Sequence, residues 1–266
     1  MTLDRYQSCT IYYRTHSGEN SAPRPPWYSK ELCLKSLLKS IKNAKQDHLQ
    51  IKLIVLHDGP LSSNPSWRTS LRDLVGPIGE IIELPKRNNA LSCLDAIHRA
   101  CSQPDDELVL FAEDDYLWLT PAVSGICSAL TILPCDYVTG YDHPVRYQPD
   151  YPLGADWPHW YTAIHITEDR HWRSQESTCM TFASCAKTLK ADIPYFERYH
   201  DNGKGTPDDR KLFRHLCGLG DYTKQENPHR ILLGPLPSLN THLHLPWLAP
   251  LIDWKLEADA VMAQER

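Results

Sequence analysis

The chain has 266 residues, of which 41% are hydrophobic, and its formal net charge is −5. This length and composition are enough for one large or two small domains with a full core, and they exclude a disordered chain. The mildly acidic balance disfavours a general nucleic-acid surface or a polybasic membrane surface.

The first half of the chain alternates predicted strands and helices. Short apolar, β-branched or aromatic runs predict strands at residues 10–14, 51–56, 80–84 and 107–112. Apolar residues at helical spacing predict helices at residues 29–45, 67–75 and 89–100. This βαβαβαβ order predicts an α/β fold with a mostly parallel, doubly wound sheet.

The second half has fewer regular patterns. A helix is predicted at 121–133, a strand at 135–139, a strand at 178–182 and a helix at 208–219. Residues 140–171 are rich in Tyr, Trp, Pro and His, which indicates an ordered functional loop region. Its aromatic group could stack on a sugar or form local core: Trp157, His159, Trp160 and Tyr161.

One apolar run, from Leu108 to Ala112, ends in three adjacent acids, Glu113, Asp114 and Asp115. In open α/β sheets, ligands bind beyond the carboxyl ends of the strands. Three like charges repel one another unless a cation lies between them, and a divalent ion is the usual one. The segment therefore predicts a ligand site with a metal, although a solvated acidic turn that caps the next helix would also fit.

The order of motifs resembles the GT-A glycosyltransferases, most of all the inverting family 2 group. The resemblance covers roughly residues 8 to 245, and four segments carry it: TIYYRTHS at 10–17, IVLHDGP at 54–60, KRNNA at 86–90 with FAEDDY at 111–116, and TPDDR at 206–210. His57 departs from the family by replacing its first acid after strand two, and the acids at 113–115 are not a strict DxD. No QxxRW motif of processive synthases occurs, which favours transfer of a single sugar.

The resemblance implies a GT-A type fold, with a Rossmann-like, mostly parallel central sheet flanked by helices in a single domain. Residues 8–120 would be the nucleotide-sugar-binding half, and 121–266 the acceptor-binding half with the C-terminal tail. The implied enzyme moves one sugar from a nucleotide sugar, expected to be a UDP-sugar, to an acceptor hydroxyl with inversion. The donor sugar stays open, and so does the acceptor: a glycan, a lipid-linked sugar, a small molecule, a protein or a modified nucleic-acid base.

The resemblance also implies Mn²⁺ or Mg²⁺ as cofactor, because a hard divalent ion bridges the donor phosphates. Asp115 is the expected direct ligand and Glu113 a further one, whereas Asp114 is assigned to the nucleotide. A late histidine completes the metal site in many such enzymes, and we favour His242 over His244. Two ordinary half-buried histidines are the alternative.

Four more residues are expected at the nucleotide. Asp58 would accept from the base or ribose, or serve only the turn before Gly59. Arg14 would meet the diphosphate or ribose, or pair with a nearby acid. The loop with Thr15 would touch the nucleotide. Asn89 would bond to the base, although one of Asn88 and Asn89 is expected to cap the following helix.

The acceptor-side acids Asp208 and Asp209 open a predicted helix. An inverting transfer needs a base that takes the proton from the acceptor hydroxyl, and we expect one of the pair, with Asp209 ahead, to be catalytic. Acids at the start of a helix also stabilise it without any catalytic role.

Other classes remain open. A nucleotidyltransferase would share the fold and the acids, but THSGEN lacks its glycine-rich, basic phosphate loop. A hydrolase with an aspartyl nucleophile would want its acids after the first strand. A non-catalytic nucleotide- or carbohydrate-binding relative is the third alternative.

Nine scattered cysteines without a CxxC pair predict free, mostly buried thiols. No apolar signal-peptide core or membrane-spanning run occurs. Together these features lead us to expect a cytoplasmic protein without a transmembrane segment.

Overall fold

The computed structural model describes residues 8–19, 21–148, 162–222 and 224–263. The strands are β1 Ser8–His16, β2 Gln50–Asp58, β3 Gly79–Leu84, β4 Leu108–Glu113, β5 Tyr116–Trp118, β6 Tyr137–Val138, β7 Ile164–Ile166, β8 His171–Ser174, β9 Phe182–Cys185, β10 Leu232–Leu236 and β11 Asn240–His242. The helices are α1 Lys30–Gln46, α2 Pro65–Val75, α3 Asn89–Cys101, α4 Ala122–Ile132, α5 Ala186–Arg198, α6 Asp209–Leu216 and α7 Trp254–Met262.

A nine-stranded sheet in the order β3-β2-β1-β4-β9-β6-β10-β8-β7 forms the centre of the molecule. The first four strands in this order pair in parallel. β9 lies antiparallel between β4 and β6, β10 is parallel to β6, and β8 and β7 complete the edge in antiparallel pairs. These pairings make seven of the nine strands run in one direction, with only β8 and β9 reversed. The predicted mostly parallel α/β sheet is confirmed.

Two cores cover the two faces of this sheet because successive side chains of a strand point to opposite faces. In β1, Ile11 and Tyr13 belong to the core formed with α1, α4 and α7. Tyr12 faces the opposite core, which includes residues of α3, α5 and α6. Burial on both faces explains the unbroken apolar runs at 11–13 in β1, 53–56 in β2 and 108–112 in β4.

Helices α1 and α3 start where the sequence supplies a cap. Ser29 accepts from the Leu32 N–H at the start of α1, and Asn88 accepts from the Leu91 N–H at the start of α3. Such caps satisfy backbone donors that have no partner within the helix. The expectation that one of the two adjacent asparagines caps α3 is confirmed for Asn88.

All predicted elements of the first half are present, with ends displaced by a few residues. The strand predicted at 178–182 is wrong, because residues 178–181 form a turn and β9 begins only at Phe182. This turn holds Cys179 and Met180 at φ 49° and 56°, which a continuous strand cannot accommodate. The sequence analysis also missed α5, α7 and five short strands.

All nine cysteines are free thiols, four of them buried and five half-buried. The expectation of free thiols is therefore confirmed. Across the described parts of the chain, no helix combines the length and the apolar character needed to cross a membrane.

Candidate functional site

A cleft of about 770 Å³ opens at the carboxyl ends of β1, β2 and β4. Its walls come from the end of β1 and the loop after it (residues 15–18), and from Asp58 and Gly59 at the end of β2. The start of α3 and the acids at 113–115 complete them. Because β1 pairs in parallel with both β2 and β4, the three strand ends meet at one edge of the sheet. All seven metal and nucleotide residues predicted for the first half of the chain line this cleft: Arg14, Thr15, Asp58, Asn89, Glu113, Asp114 and Asp115.

Asp114 is held by residues at the end of β1 and by the first residue of α1. Its Oδ2 accepts from the Thr15 hydroxyl at 2.7 Å and lies 2.8 Å from the Lys30 ammonium. The backbone N–H of His16 points to the same oxygen at 3.4 Å. Asp114 therefore fixes the cleft wall as well as lining it.

Asp115 lies between a histidine and an arginine from distant parts of the chain. Its Oδ2 is 2.9 Å from His242 Nε2 and accepts from Arg24 Nη2 at 2.8 Å. Burial alone would raise the pKa of Asp115, but His242 and Arg24 outweigh it and hold the pKa well below its ordinary value. Its Oδ1 is buried and has no hydrogen-bond partner within the described structure.

The pair formed by Asp115 and His242 depends on a small second sheet. β5 and β11 run antiparallel, with His242 opposite Tyr116, the residue after Asp115. The His242 ring stacks on the Tyr116 ring, with 5.2 Å between their centroids. His244 is a half-buried neighbour of His242, and no hydrogen bond joins it to the described acids. The preference for His242 agrees with this geometry.

Glu113 is the third acid, and it turns towards Arg14. The Arg14 guanidinium donates to Glu113 Oε1 and, through its other terminal nitrogen, to the Asn89 side-chain oxygen at 3.0 Å. Burial raises the pKa of Glu113 to about 6, although the Arg14 charge lowers it. Within the described residues, no three His, Cys, Asp or Glu side chains gather as a ready metal site. The expected trio is thus represented by the Asp115–His242 pair alone.

Asp58 lies at the end of β2 and binds the turn that precedes α3. Its two carboxylate oxygens accept from the backbone N–H groups of Arg87 at 2.6 Å and Asn88 at 2.9 Å. Arg87 has a φ of 50°, a conformation that costs energy for a residue with a Cβ. Asp58 therefore stabilises a strained turn at the cleft, which is a structural role that the base or ribose contact would have to share.

Arg87 lines the cleft with its side chain exposed. Among the described residues, no hydrogen bond or ion pair engages its guanidinium. Arg14, in contrast, is already bound to Glu113 and Asn89. Arg87 is therefore the cleft arginine that remains able to meet an anionic ligand.

Asp208 and Asp209 do not line the cleft among its described walls, although the nearby Thr206 does. The Asp209 carboxylate accepts from the hydroxyl groups of Ser177 and Thr178 and from the backbone N–H groups of Thr178 and Met180. Burial raises the pKa of the Cys179 thiol within this turn, and the charges of Asp209 and Glu113 raise it further.

Asp208 is the N-cap residue of α6, but its side chain makes no capping bond. It forms an exposed ion pair with Lys211 at 2.9 Å. Asp209 thus binds the 177–180 turn, whereas Asp208 pairs with a lysine of α6 itself, a contact between positions i and i+3 that fits the helix-stabilising alternative.

The cations that neutralise the acids were missed in the sequence. Lys30 and Arg24 carry no motif, and both lie in or after the proline-rich stretch that follows β1. The available signal was physical, because buried carboxylates require partners. The aromatic group Trp157, His159, Trp160 and Tyr161 lies outside the described residues.

No protein-family profile matches this sequence, and no curated protein matches it. Solved structures with some likeness include S. aureus TarS 1–349, at 12% identity and a TM-score of 0.44 over 77% of this chain. This chain spans only 53% of that TarS chain.

Two other solved structures match over 98% of their own length. The 4-diphosphocytidyl-2C-methyl-D-erythritol synthase of Anaerococcus prevotii has 11% identity and a TM-score of 0.45, over 99% of this chain. The inositol-1-phosphate CTP transferase of T. maritima has 12% identity and a TM-score of 0.47, over 98% of this chain. With TM-scores below 0.5, these likenesses carry no argument about function, which has to be made from the site.

Proposed function

We propose that this chain is a metal-dependent glycosyltransferase that moves one sugar from a nucleotide sugar, a UDP-sugar, to an acceptor hydroxyl. The observation that carries the proposal is the contact between Asp115 and His242 beside a cleft at the carboxyl edge of a parallel sheet. The two residues are 127 positions apart in the chain, and both were predicted as ligands of one metal ion.

The cleft has the chemistry of a nucleotide diphosphate site. It lies where α/β sheets bind ligands, and its volume is in the range of small-molecule pockets. The Arg87 guanidinium offers two parallel N–H groups that suit phosphate oxygens. Residues 15–18 and residues 87–89 also line the cleft, and they supply backbone and amide groups for the base and ribose.

The donor set fits a hard divalent ion. Asp115 Oδ1 is a buried carboxylate oxygen without a hydrogen-bond partner in the described structure, and His242 Nε2 is beside the other oxygen. Asp115 and His242 would hold the ion, with water and donor phosphates as the remaining ligands. When bound, Mn²⁺ or Mg²⁺ would neutralise the charge that develops on the departing nucleoside diphosphate.

The chain itself would supply the base. Asp209 is fixed by four hydrogen-bond donors of the 177–180 region. A carboxylate in this fixed position would take the proton of the acceptor hydroxyl as the hydroxyl attacks the anomeric carbon. Direct attack from the face opposite the diphosphate inverts the anomeric configuration.

The metal role is tested by thermal unfolding with UDP in the presence of Mn²⁺ or of EDTA. We expect UDP to stabilise the unmodified chain much more with Mn²⁺, because ligand that binds only the folded state raises the unfolding free energy. Asp115→Asn should remove this difference, while Asp259→Asn, which changes a surface ion pair with Lys255 on α7, should keep it. Equal stabilisation with and without metal would reject the metal role.

The reaction is tested by incubation with a panel of nucleotide sugars and acceptors, followed by measurement of free nucleoside diphosphate and of pyrophosphate. A glycosyltransferase releases the diphosphate, and NMR of the first product should show inversion. Release of pyrophosphate from nucleoside triphosphates would instead indicate a nucleotidyltransferase. Metal-dependent UDP binding without turnover across the panel would favour a non-catalytic binding protein.

A further inference from the structure

The last residue of β1 and the first two of the following loop, together called the 16–18 loop, are fixed by side chains that bind their carbonyl groups. Lys30 Nζ donates to the carbonyl oxygens of His16 at 2.6 Å and Gly18 at 2.5 Å. Between them, the Ser17 carbonyl accepts from Asn64 Nδ2 at 3.1 Å. Three consecutive carbonyl groups of an irregular loop are therefore held, two of them by one lysine.

Lys30 is the buried member of this arrangement, with 7% of its side chain exposed. Its third partner is the carboxylate of Asp114, at 2.8 Å. An ammonium group has three donors, and here all three have an acceptor. Satisfied donors and a neutralising acid are what allow a lysine to be buried at acceptable cost.

The position of Lys30 in the chain is set by the capped start of α1. Ser29 caps this helix, and Lys30 is its first residue, so its side chain projects from a rigid element. The loop and Asp114 both line the cleft, whereas Lys30 does not. Lys30 thus lies behind the wall and joins its two halves, the loop after β1 and the acids after β4.

We infer that Lys30 is a positioning residue for nucleotide binding, which acts by holding the 16–18 loop against Asp114 in the shape that receives the nucleotide. This inference rests on the proposed function, because it assigns the cleft to a nucleotide. Lys30 touches no reacting atom, so its loss should weaken donor binding and leave the chemical step intact.

The test uses the full chain and UDP with Mn²⁺ as the probe. Lys30→Met removes all three donors at similar side-chain length, and the milder Lys30→Gln serves if the first variant does not fold. Lys35→Met, one turn further along α1 in an ion pair with Glu31, is the matched control. We expect the Kd for UDP to rise about 10- to 100-fold in the Lys30 variant, the scale of a misplaced binding group, and to be unchanged in the control.

Two further measurements separate positioning from a merely structural role. In the transfer assay, the KM for the donor should rise with Kd, while kcat at saturating donor stays within about threefold. Hydrogen exchange of the loop amides should become faster in Lys30→Met and not in Lys35→Met. A fall in kcat at constant KM would overturn the inference.

A double variant tests the part played by charge. Lys30→Met with Asp114→Asn removes both charges of the buried pair but cannot restore the bonds to the loop carbonyls. UDP binding that is weaker in the folded double variant than in Asp114→Asn alone supports positioning of the loop. Equal affinity in these two variants would show that Lys30 only neutralises Asp114.

The outcomes also distinguish this inference from the proposed function. If the unmodified chain binds UDP and Lys30→Met binds it equally well, the inference fails and the proposed function stands. If the unmodified chain binds none of the common nucleoside diphosphates, the proposed function fails, and the inference falls with it.

Discussion

Substitution of Asp58 by alanine tests whether the turn before α3 is held for the nucleotide. The variant removes the acceptors of two backbone N–H groups, those of Arg87 and Asn88. Hydrogen bonds to a charged group contribute roughly 1.5–3 kcal/mol each. Water can reach the exposed Arg87 backbone and replace part of its bond. We therefore expect the unfolding free energy to fall by about 2–3 kcal/mol in total.

Urea unfolding measures this loss directly. Because each kcal/mol corresponds to a few °C, the Tm of the Asp58→Ala variant should fall by about 4–12 °C. Glu83→Ala is the matched control, because Glu83 lies near the end of the neighbouring strand β3 and accepts one backbone N–H, that of Leu61, at 2.7 Å. Glu83 does not line the cleft. The Glu83→Ala variant should therefore have a lower unfolding free energy and an unchanged affinity for UDP.

The affinity of Asp58→Ala for UDP, measured by calorimetry below the unfolding transition, should fall at least about tenfold, which corresponds to roughly 1.4 kcal/mol. The reason is that Arg87 would leave its strained backbone conformation and no longer present its guanidinium to the cleft. An unchanged unfolding free energy would refute the energetic role of the two bonds. A destabilised variant with unchanged affinity would refute the role of the turn in binding.

Three further outcomes follow from contacts of other residues. Asp209→Asn should lower the unfolding free energy by about 2–4 kcal/mol in urea, because its amide group opposes donors of the 177–180 turn, whereas Asp208→Asn should change it by less than about 1 kcal/mol. Burial lowers the pKa of His143 to about 4, and its ring accepts a backbone N–H. As the pH falls, His143 is protonated in the unfolded chain before it is protonated in the folded chain. Its contribution to the unfolding free energy is therefore fully present above the ordinary pKa near 6.5 and is lost as the pH falls towards 4. His143→Asn, which keeps an acceptor, should flatten this pH dependence by about 1–3 kcal/mol. Leu110→Ala, at a fully buried position in β4, should cost about 2–5 kcal/mol with an unchanged denaturant slope.

The residue pattern was enough to predict the first half of the fold. In β1, β2 and β4, apolar runs of strand length alternate with helical spacing, and both signals are local. The parallel order then brings the strand ends together, so the strand order alone predicts the edge of the sheet at which the cleft lies. For this reason, Arg14, Asp58 and Asp115 were expected at one edge, and the structure places them there.

The second half was harder because its strands are short and its order depends on distant pairing. β9 has four residues and lies between β4 and β6, which come from earlier in the chain. The strand predicted at 178–182 failed because Asp209, about 30 residues later, stabilises a turn at 178–180. A local pattern cannot report a bond whose acceptor lies on another element.

The sequence by itself determined where the acids of the site lie, because strand length and strand order follow from local periodicity. Only the tertiary structure decided which cation meets each acid. Asp115 is 91 positions from Arg24 and 127 from His242, and Lys30 reaches both the loop after β1 and Asp114. These pairs form because a buried charge without a partner is costly. The sequence indicates that the acids are buried, but the identity of each partner depends on the folded chain.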